Sequence, residues 1–281
     1  MNSGPGRGVS TGEVLFRVLA AVCLVLLLLL LSLPLVALLT RTTPGQFLAR
    51  LADPEVLAAL RLSLVTAAAT TLIAVVLGLP VAYLLGTREF PGKRAVEVLV
   101  ELPMVLPPTV AGFSLLLAFG RMGLLGRPLH ALGVQLPFTT LGVVVAQVFM
   151  AAPFFISPAA AGFASVDRKY MDLAATLRAS EGRRFFQVLL PLSLPSLVAG
   201  ATLCCARALG EFGATITFAG NLRGVTRTMP LAVYVARESD LDGAVALALV
   251  LVATSLALLL ALRHFHAGFL WRSGRAAGRA A

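Results

Sequence analysis

Apolar residues run along this chain in long blocks separated by short polar segments. Six blocks reach the ~20 mostly apolar residues that a membrane-spanning helix requires. They are residues 14–39, 56–85, 95–119, 140–164, 195–218 and 244–262. The first is a nearly unbroken leucine run, longer than the apolar core of about 7–15 residues usual in a cleavable leader, and no small-residue cleavage site follows it. The pattern predicts an all-α, polytopic membrane protein of about six transmembrane helices. It divides into a tail at 1–13, a membrane domain at 14–262 and a basic tail at 263–281.

One polar segment, 167–191, has a pattern of its own. Asp167 suits the N-cap of a short helix, along which Tyr170, Leu173, Ala174 and Leu177 recur on one face. Ser180 is placed to cap a second helix with Glu181 in its first turn. Phe185, Phe186, Val188 and Leu189 give that helix an apolar surface, and Pro191 is expected to stop it. Two amphipathic helices in one loop either lie flat on a membrane or seat an apolar face in the cleft of another protein.

Composition agrees with lipid as the main solvent. Of the 281 residues, 58% are hydrophobic and 13% charged, against about 25% charged in a soluble domain. The net charge of +10 does not point to nucleic acid, because the basic residues lie in the connections between apolar blocks. Fourteen of the 23 Lys and Arg fall in the tails, in the even-numbered connections and, for Arg17, at the N-terminal edge of the first block, and seven in the odd-numbered connections. That bias predicts both termini, and the 167–191 segment, on the cytoplasmic side.

Within the blocks, Pro103, Pro107, Pro108 and Gly112 interrupt the third, and Pro153 and Pro158 the fourth. Each proline removes a backbone donor, giving either ordinary kinks or broken helices along a path; the Pro107-Pro108 double break favours the path. In the fifth block Arg207 and Glu211, four apart, fall on one helical face. They read either as a structural ion pair or as part of a pathway. Gly210 and Gly213 permit close helix approach. Thr215 and Thr217 add hydroxyls that either serve the path or only satisfy backbone carbonyls. Cys23, Cys204 and Cys205 sit in apolar runs and read as packing residues.

Signals for chemistry are thin. The stretch GTREFPGKR at 86–94 has the wrong glycine spacing for a phosphate loop and ends in Arg where Ser or Thr is needed. His130, His264 and His266 are too scattered for a metal site, and no nucleophile elbow occurs. Only Arg207, Glu211 and Glu101 are polar enough and deep enough to serve a reaction, so no active site of its own is expected.

The 167–191 segment resembles the EAA loop of permease subunits of bacterial ABC importers, with the pattern E-A-A-x-x-x-G-x9-I-x-L-P. Asp172 takes the Glu place, Leu173 and Ala174 the Ala places, and Val188, Leu190 and Pro191 the end of the pattern. Arg178 stands at the Gly place, with Gly182 nearby as a second source of backbone freedom. The stretches ARALGEFGATITF (206–218), TRTMPLAVY (226–234) and LPMVLPPTVAGF (102–113) are similar to molybdate permeases. Sulfate permeases share the ARALGEFG core and diverge after it.

The resemblance implies a homodimer in a bacterial inner membrane. Each EAA loop would seat in an ATPase subunit that binds the ATP and magnesium, this chain holding no cofactor itself. An extracytoplasmic molybdate-binding protein would deliver the oxyanion. By the same resemblance Asp172, Leu173, Ala174, Arg178, Gly182, Val188, Leu190 and Pro191 belong to the coupling element. Arg207, Glu211, Phe212, Thr215, Thr217, Pro107 and Pro108 belong to the path or gate. Tungstate and sulfate remain alternative cargoes, and a stand-alone secondary transporter is a rival reading that would be expected to show internal repeats and more intramembrane charge.

Overall fold

A computed structural model describes residues 11–277. Residues 1–10 and 278–281, parts of the two expected tails, lie outside the described residues. The described chain is helical throughout its ordered elements. Its first helices are α1 (Thr11–Thr40), α2 (Pro44–Leu51) and α3 (Pro54–Thr87). Next come α4 (Lys93–Val105), α5 (Pro108–Phe119), α6 (Gly126–Ala131), α7 (Thr140–Ala151) and α8 (Pro153–Ala164). They are followed by α9 (Arg168–Thr176), α10 (Glu181–Leu209), α11 (Gly213–Ala219), α12 (Met229–Ser239) and α13 (Leu241–Ala277). Among the described residues four helices are long and apolar enough to cross a membrane, or up to six if each of two bent pairs is one span.

The core is a three-helix packing of α3, α8 and α10. Its close approach is set by small residues. A side chain at Gly78 would meet Ile156 and Phe155, and one at Gly86 would lie 2.5 Å from the Ala160 carbonyl oxygen. Gly200 faces the backbone of Phe155 in the same way. Without a hydrophobic drive between helices in lipid, such contact is what holds spans together. Gly86→Leu therefore overpacks a backbone-lined crossing and is expected to lower stability by about 1–3 kcal/mol, read as a fall in the unfolding midpoint of the purified chain. Buried hydrogen bonds add specificity: Thr70 of α3 donates to the Gln147 side-chain oxygen of α7 at 3.1 Å, and Ser63 accepts from the Met229 N–H at 2.8 Å.

Two expected spans are built differently. The third, anticipated as one helix over 95–119, is α4 and α5 bent by 117°. The cause is local. A proline disfavours the helical region for the residue before it, and here Leu106 (ψ 134°) and Pro107 (ψ 131°) both leave it. Their combination turns α5 away from the axis of α4 and lays it against α11.

The fifth span, expected at 195–218, instead occupies Glu181–Leu209. Pro191 does not stop a helix there. The preceding turn, Phe185–Leu189, is a π-turn in which the Leu190 N–H reaches the Phe185 carbonyl. A wide turn of this kind accommodates a proline's missing donor and bulky ring without breaking the rod. At the other end the helix closes on Gly210, and residues 213–219 form the separate helix α11.

Candidate functional site

The expected site residues fall into two groups at different places in the fold. The first is the knob formed by α9 and the start of α10. Asp167 caps α9, accepting the Lys169 N–H at 3.0 Å, and Ser180 caps α10, accepting from the Arg183 N–H at 3.4 Å. Between them the chain turns back through Leu177, Arg178 and Ala179. Ala179 N–H donates to the Ala174 carbonyl at 3.1 Å and Arg178 N–H to Ala175 at 2.9 Å, the two bonds of a Schellman cap. That cap needs a left-handed residue, and Arg178 supplies it with φ +56°.

So the tight turn forms although the glycine of the pattern is missing. Gly182 does not provide it: it lies inside the first turn of α10. A non-glycine residue in the left-handed region costs roughly 1 kcal/mol. Arg178→Gly recovers that cost, less the extra freedom glycine gives the unfolded chain, and Arg178→Val is expected to raise it. Amide exchange at Ala179 should therefore be slowest in the Gly variant and fastest in the Val variant.

No side chain of α9 is buried. Tyr170, Leu173 and Leu177 point their apolar bodies outward, Leu177 with 83% of its surface free. The second part of the pattern is anchored differently. Val188 and Leu190 are half-buried, and Phe185 joins an aromatic cluster with Tyr83 of α3 at 5.1 Å and Phe163 of α8 at 6.0 Å. An ion pair reinforces this anchor: Arg88, just past α3, donates to Glu181 at 2.7 Å. That hydrogen bond, with the Glu181 charge behind it, holds the Arg88 guanidinium above its usual range. The knob is thus an amphipathic helix with an exposed apolar side on a mount fixed to the core of the bundle. Local pattern finds α9; it gives no sign of Tyr83 or Arg88, which lie some ninety residues away in sequence.

The second group lies where the broken spans meet. Pro108, Gly112 and α11 are in direct contact. A side chain at Gly213 would lie 2.6 Å from the Pro108 ring, and one at Gly112 would lie 2.7 Å from the Ala214 oxygen and the Thr217 Cβ. Gly210 has no such role: it ends α10, and among the described residues a side chain there would meet the Ala206 oxygen alone, at 3.7 Å.

Arg207 and Glu211 do pair, at 2.6 Å, but not along one continuous helix. Arg207 is in the last turn of α10 and Glu211 is beyond its cap. The second carboxylate oxygen of Glu211 accepts the Ala214 N–H of α11 at 2.8 Å. Glu211, 1% exposed, therefore ties together the two helix ends across the break, while Arg207 keeps 25% of its side chain free. Phe212, in the break itself, stacks near Tyr234 of α12 at 5.0 Å. Thr217 donates to the Gly213 carbonyl at 2.9 Å, whereas the buried Thr215 hydroxyl has no partner among the described residues. Pro107, Pro108 and one side of α5 are exposed. Among the described residues no group of three His, Cys, Asp or Glu is arranged to hold a metal.

The family described as "Binding-protein-dependent transport system inner membrane component" matches residues 74–270, most of the membrane bundle. The chain belongs to this family. The permease is 46% identical over 221 residues to the molybdenum transport system permease protein ModB of Mycobacterium tuberculosis, covering 79% of this chain and 84% of that one. It is 42% identical over 185 residues to the protein of the same name from Escherichia coli K12, covering 66% and 80%. A bacterial ABC transporter for the import of alginate has a chain that superposes with a TM-score of 0.72 at 14% identity, covering 90% of the permease and 95% of that chain. The likeness at such low identity shows that the permease has the helical fold of these importers. It is a multi-pass membrane protein.

Proposed function

We propose that the permease is the membrane subunit of an ATP-driven importer of molybdate, working as a homodimer with both termini and α9 in the cytoplasm. Its sequence identity to molybdenum permeases over most of their length supports the cargo. The single observation that carries the coupling is α9 itself: a capped helix seated on the start of α10, which is anchored to α3 and α8, with the apolar residues Tyr170, Leu173 and Leu177 exposed among the described residues. Such a face fits a groove in a partner. The partner is an ATPase subunit, which binds the ATP and magnesium; the permease contributes no catalytic group. An extracytoplasmic binding protein delivers the oxyanion.

A divalent oxyanion pays a severe desolvation cost in lipid, so it needs a polar path through the dimer. The junction of Pro107, Pro108 and α11 supplies broken backbone of the kind that lines such paths. Arg207 is largely neutralised by Glu211, so the junction holds no strong resident anion site, and selection rests with the binding protein. The same pair can also gate. If it does, Glu211→Gln changes the number of ions moved per ATP hydrolysed; an unchanged ratio leaves the pair a structural joint.

The deciding experiment is uptake of labelled molybdate into vesicles containing the permease, its ATPase and the binding protein. Uptake that requires ATP and all three components, is competed by tungstate and is weakly affected by sulfate supports the reading. Anion entry through the permease alone, without nucleotide, would sink it. Strong competition by sulfate would move the cargo to sulfate and leave the coupling intact.

A further inference from the structure

A cavity of about 270 Å³ lies beneath α9, between the knob and the ends of α3 and α8. Its lining carries three guanidinium groups, Arg88, Arg168 and Arg184, from three different segments, and two carboxylates, Asp172 and Glu181. Glu181 is engaged by Arg88 at 2.7 Å. The lining thus holds one more positive than negative group, and Arg168 also borders Glu89 on its other side. The Arg184 Nε is buried and has no hydrogen-bond partner among the described residues. Tyr83 and Phe163 form the apolar part of the wall, so the cavity is greasy toward the spans and basic toward the water.

We propose that this cavity binds a phosphate group. Guanidinium forks match the spacing of phosphate oxygens, and basic pockets between the ends of membrane helices are suited to anionic headgroups. Two sources carry that chemistry, the headgroup of an anionic phospholipid and free phosphate. The site does not compete with the docking face of α9. Arg168, Met171 and Asp172 recur at helical spacing on the side turned to the spans, whereas Tyr170, Leu173 and Leu177 occupy the side turned away. An occupied cavity would tie the knob to the spans through Arg184 and Arg168, in parallel with the Arg88–Glu181 pair.

The proposal is independent of which ion is transported. It is tested by native mass spectrometry of the full-length chain in micelles of defined lipid, counting retained phosphatidylglycerol and phosphatidylcholine. Wild type is expected to retain phosphatidylglycerol preferentially. Arg168→Gln and Arg184→Gln should each weaken that retention by about fivefold, the effect of one basic group near an anionic headgroup. Arg184→Lys should restore part of it. Arg183→Gln, one residue away and outside the cavity, should leave it unchanged. Unfolding midpoints of all variants show whether a loss reflects misfolding.

An inorganic phosphate titration separates the sources. Displacement of the lipid from wild type by millimolar phosphate assigns the site to the free ion. Lipid retention insensitive to phosphate assigns it to the headgroup. Equal lipid retention in wild type and both Gln variants, with no binding of phosphate, overturns the proposal.

Discussion

Arg207→Ala should lower the unfolding midpoint of the purified permease well beyond Glu211→Gln, although the two residues form one ion pair. The asymmetry follows from their surroundings. Glu211 is 1% exposed and Arg207 25%. Removing Arg207 leaves a carboxylate in the protein interior whose one remaining hydrogen bond among the described residues is from the Ala214 N–H, and an uncompensated buried charge costs about 3 kcal/mol. Glu211→Gln keeps an oxygen for that N–H and leaves behind an arginine that water can still reach. Its cost is roughly 1 kcal/mol, that of one weakened hydrogen bond. The double variant Arg207→Ala, Glu211→Gln should be more stable than Arg207→Ala alone, because the stranded charge is gone. Thermal unfolding of the four proteins in one detergent forms the cycle. Equal losses in the two single variants would show that the pair is not the joint across the α10–α11 break.

How much of this was readable in advance depends on how far each cause lies from its effect along the chain. The apolar helix Leu241–Ala261 nearly coincides with the block at 244–262, and Pro54–Thr87 with that at 56–85, because a run of apolar side chains is itself the signal for a span. The Arg207–Glu211 contact was legible from spacing, yet the break between them was not. Glu211 replaces a helical hydrogen bond with a side-chain one, and composition does not register that exchange. Pro107 and Pro108 announce a break but not its angle, which depends on α5 finding Gly112 a seat against α11. Pro191 misled for a related reason: a π-turn at Phe185–Leu189 absorbs it, and nothing in the local sequence distinguishes that outcome from a stop. Arg178 is the clearest case of tertiary demand overriding local preference. The Schellman bonds to Ala174 and Ala175 hold it in a conformation that glycine would adopt freely.

Leu173→Asp and Leu177→Asp should abolish uptake while leaving the isolated permease as stable as before. Both side chains are exposed, Leu177 at 83% and Leu173 at 61%, so the chain's own fold loses nothing when they change; surface substitutions of this kind fall within about 0.5 kcal/mol. Their value is realised only when a partner covers them. A leucine taken from water to a fully buried contact contributes about 1.5–3 kcal/mol, and each 1.4 kcal/mol is tenfold in affinity. A carboxylate in its place forfeits that gain and adds the cost of burying a charge, so ATPase binding should fall by at least ~10-fold and uptake with it. Leu177→Ala, which forfeits part of the contact without introducing charge, should lie between. Gly86→Leu must behave in the opposite sense, losing stability at the α3–α8 crossing before any partner is present. Co-purification of the ATPase, uptake and the unfolding midpoint, measured on the same variants, separate the two classes. Were the Asp variants to hold the ATPase and import as wild type does, α9 would not be the element through which the motor drives the bundle, and its uncovered apolar side would need another occupant.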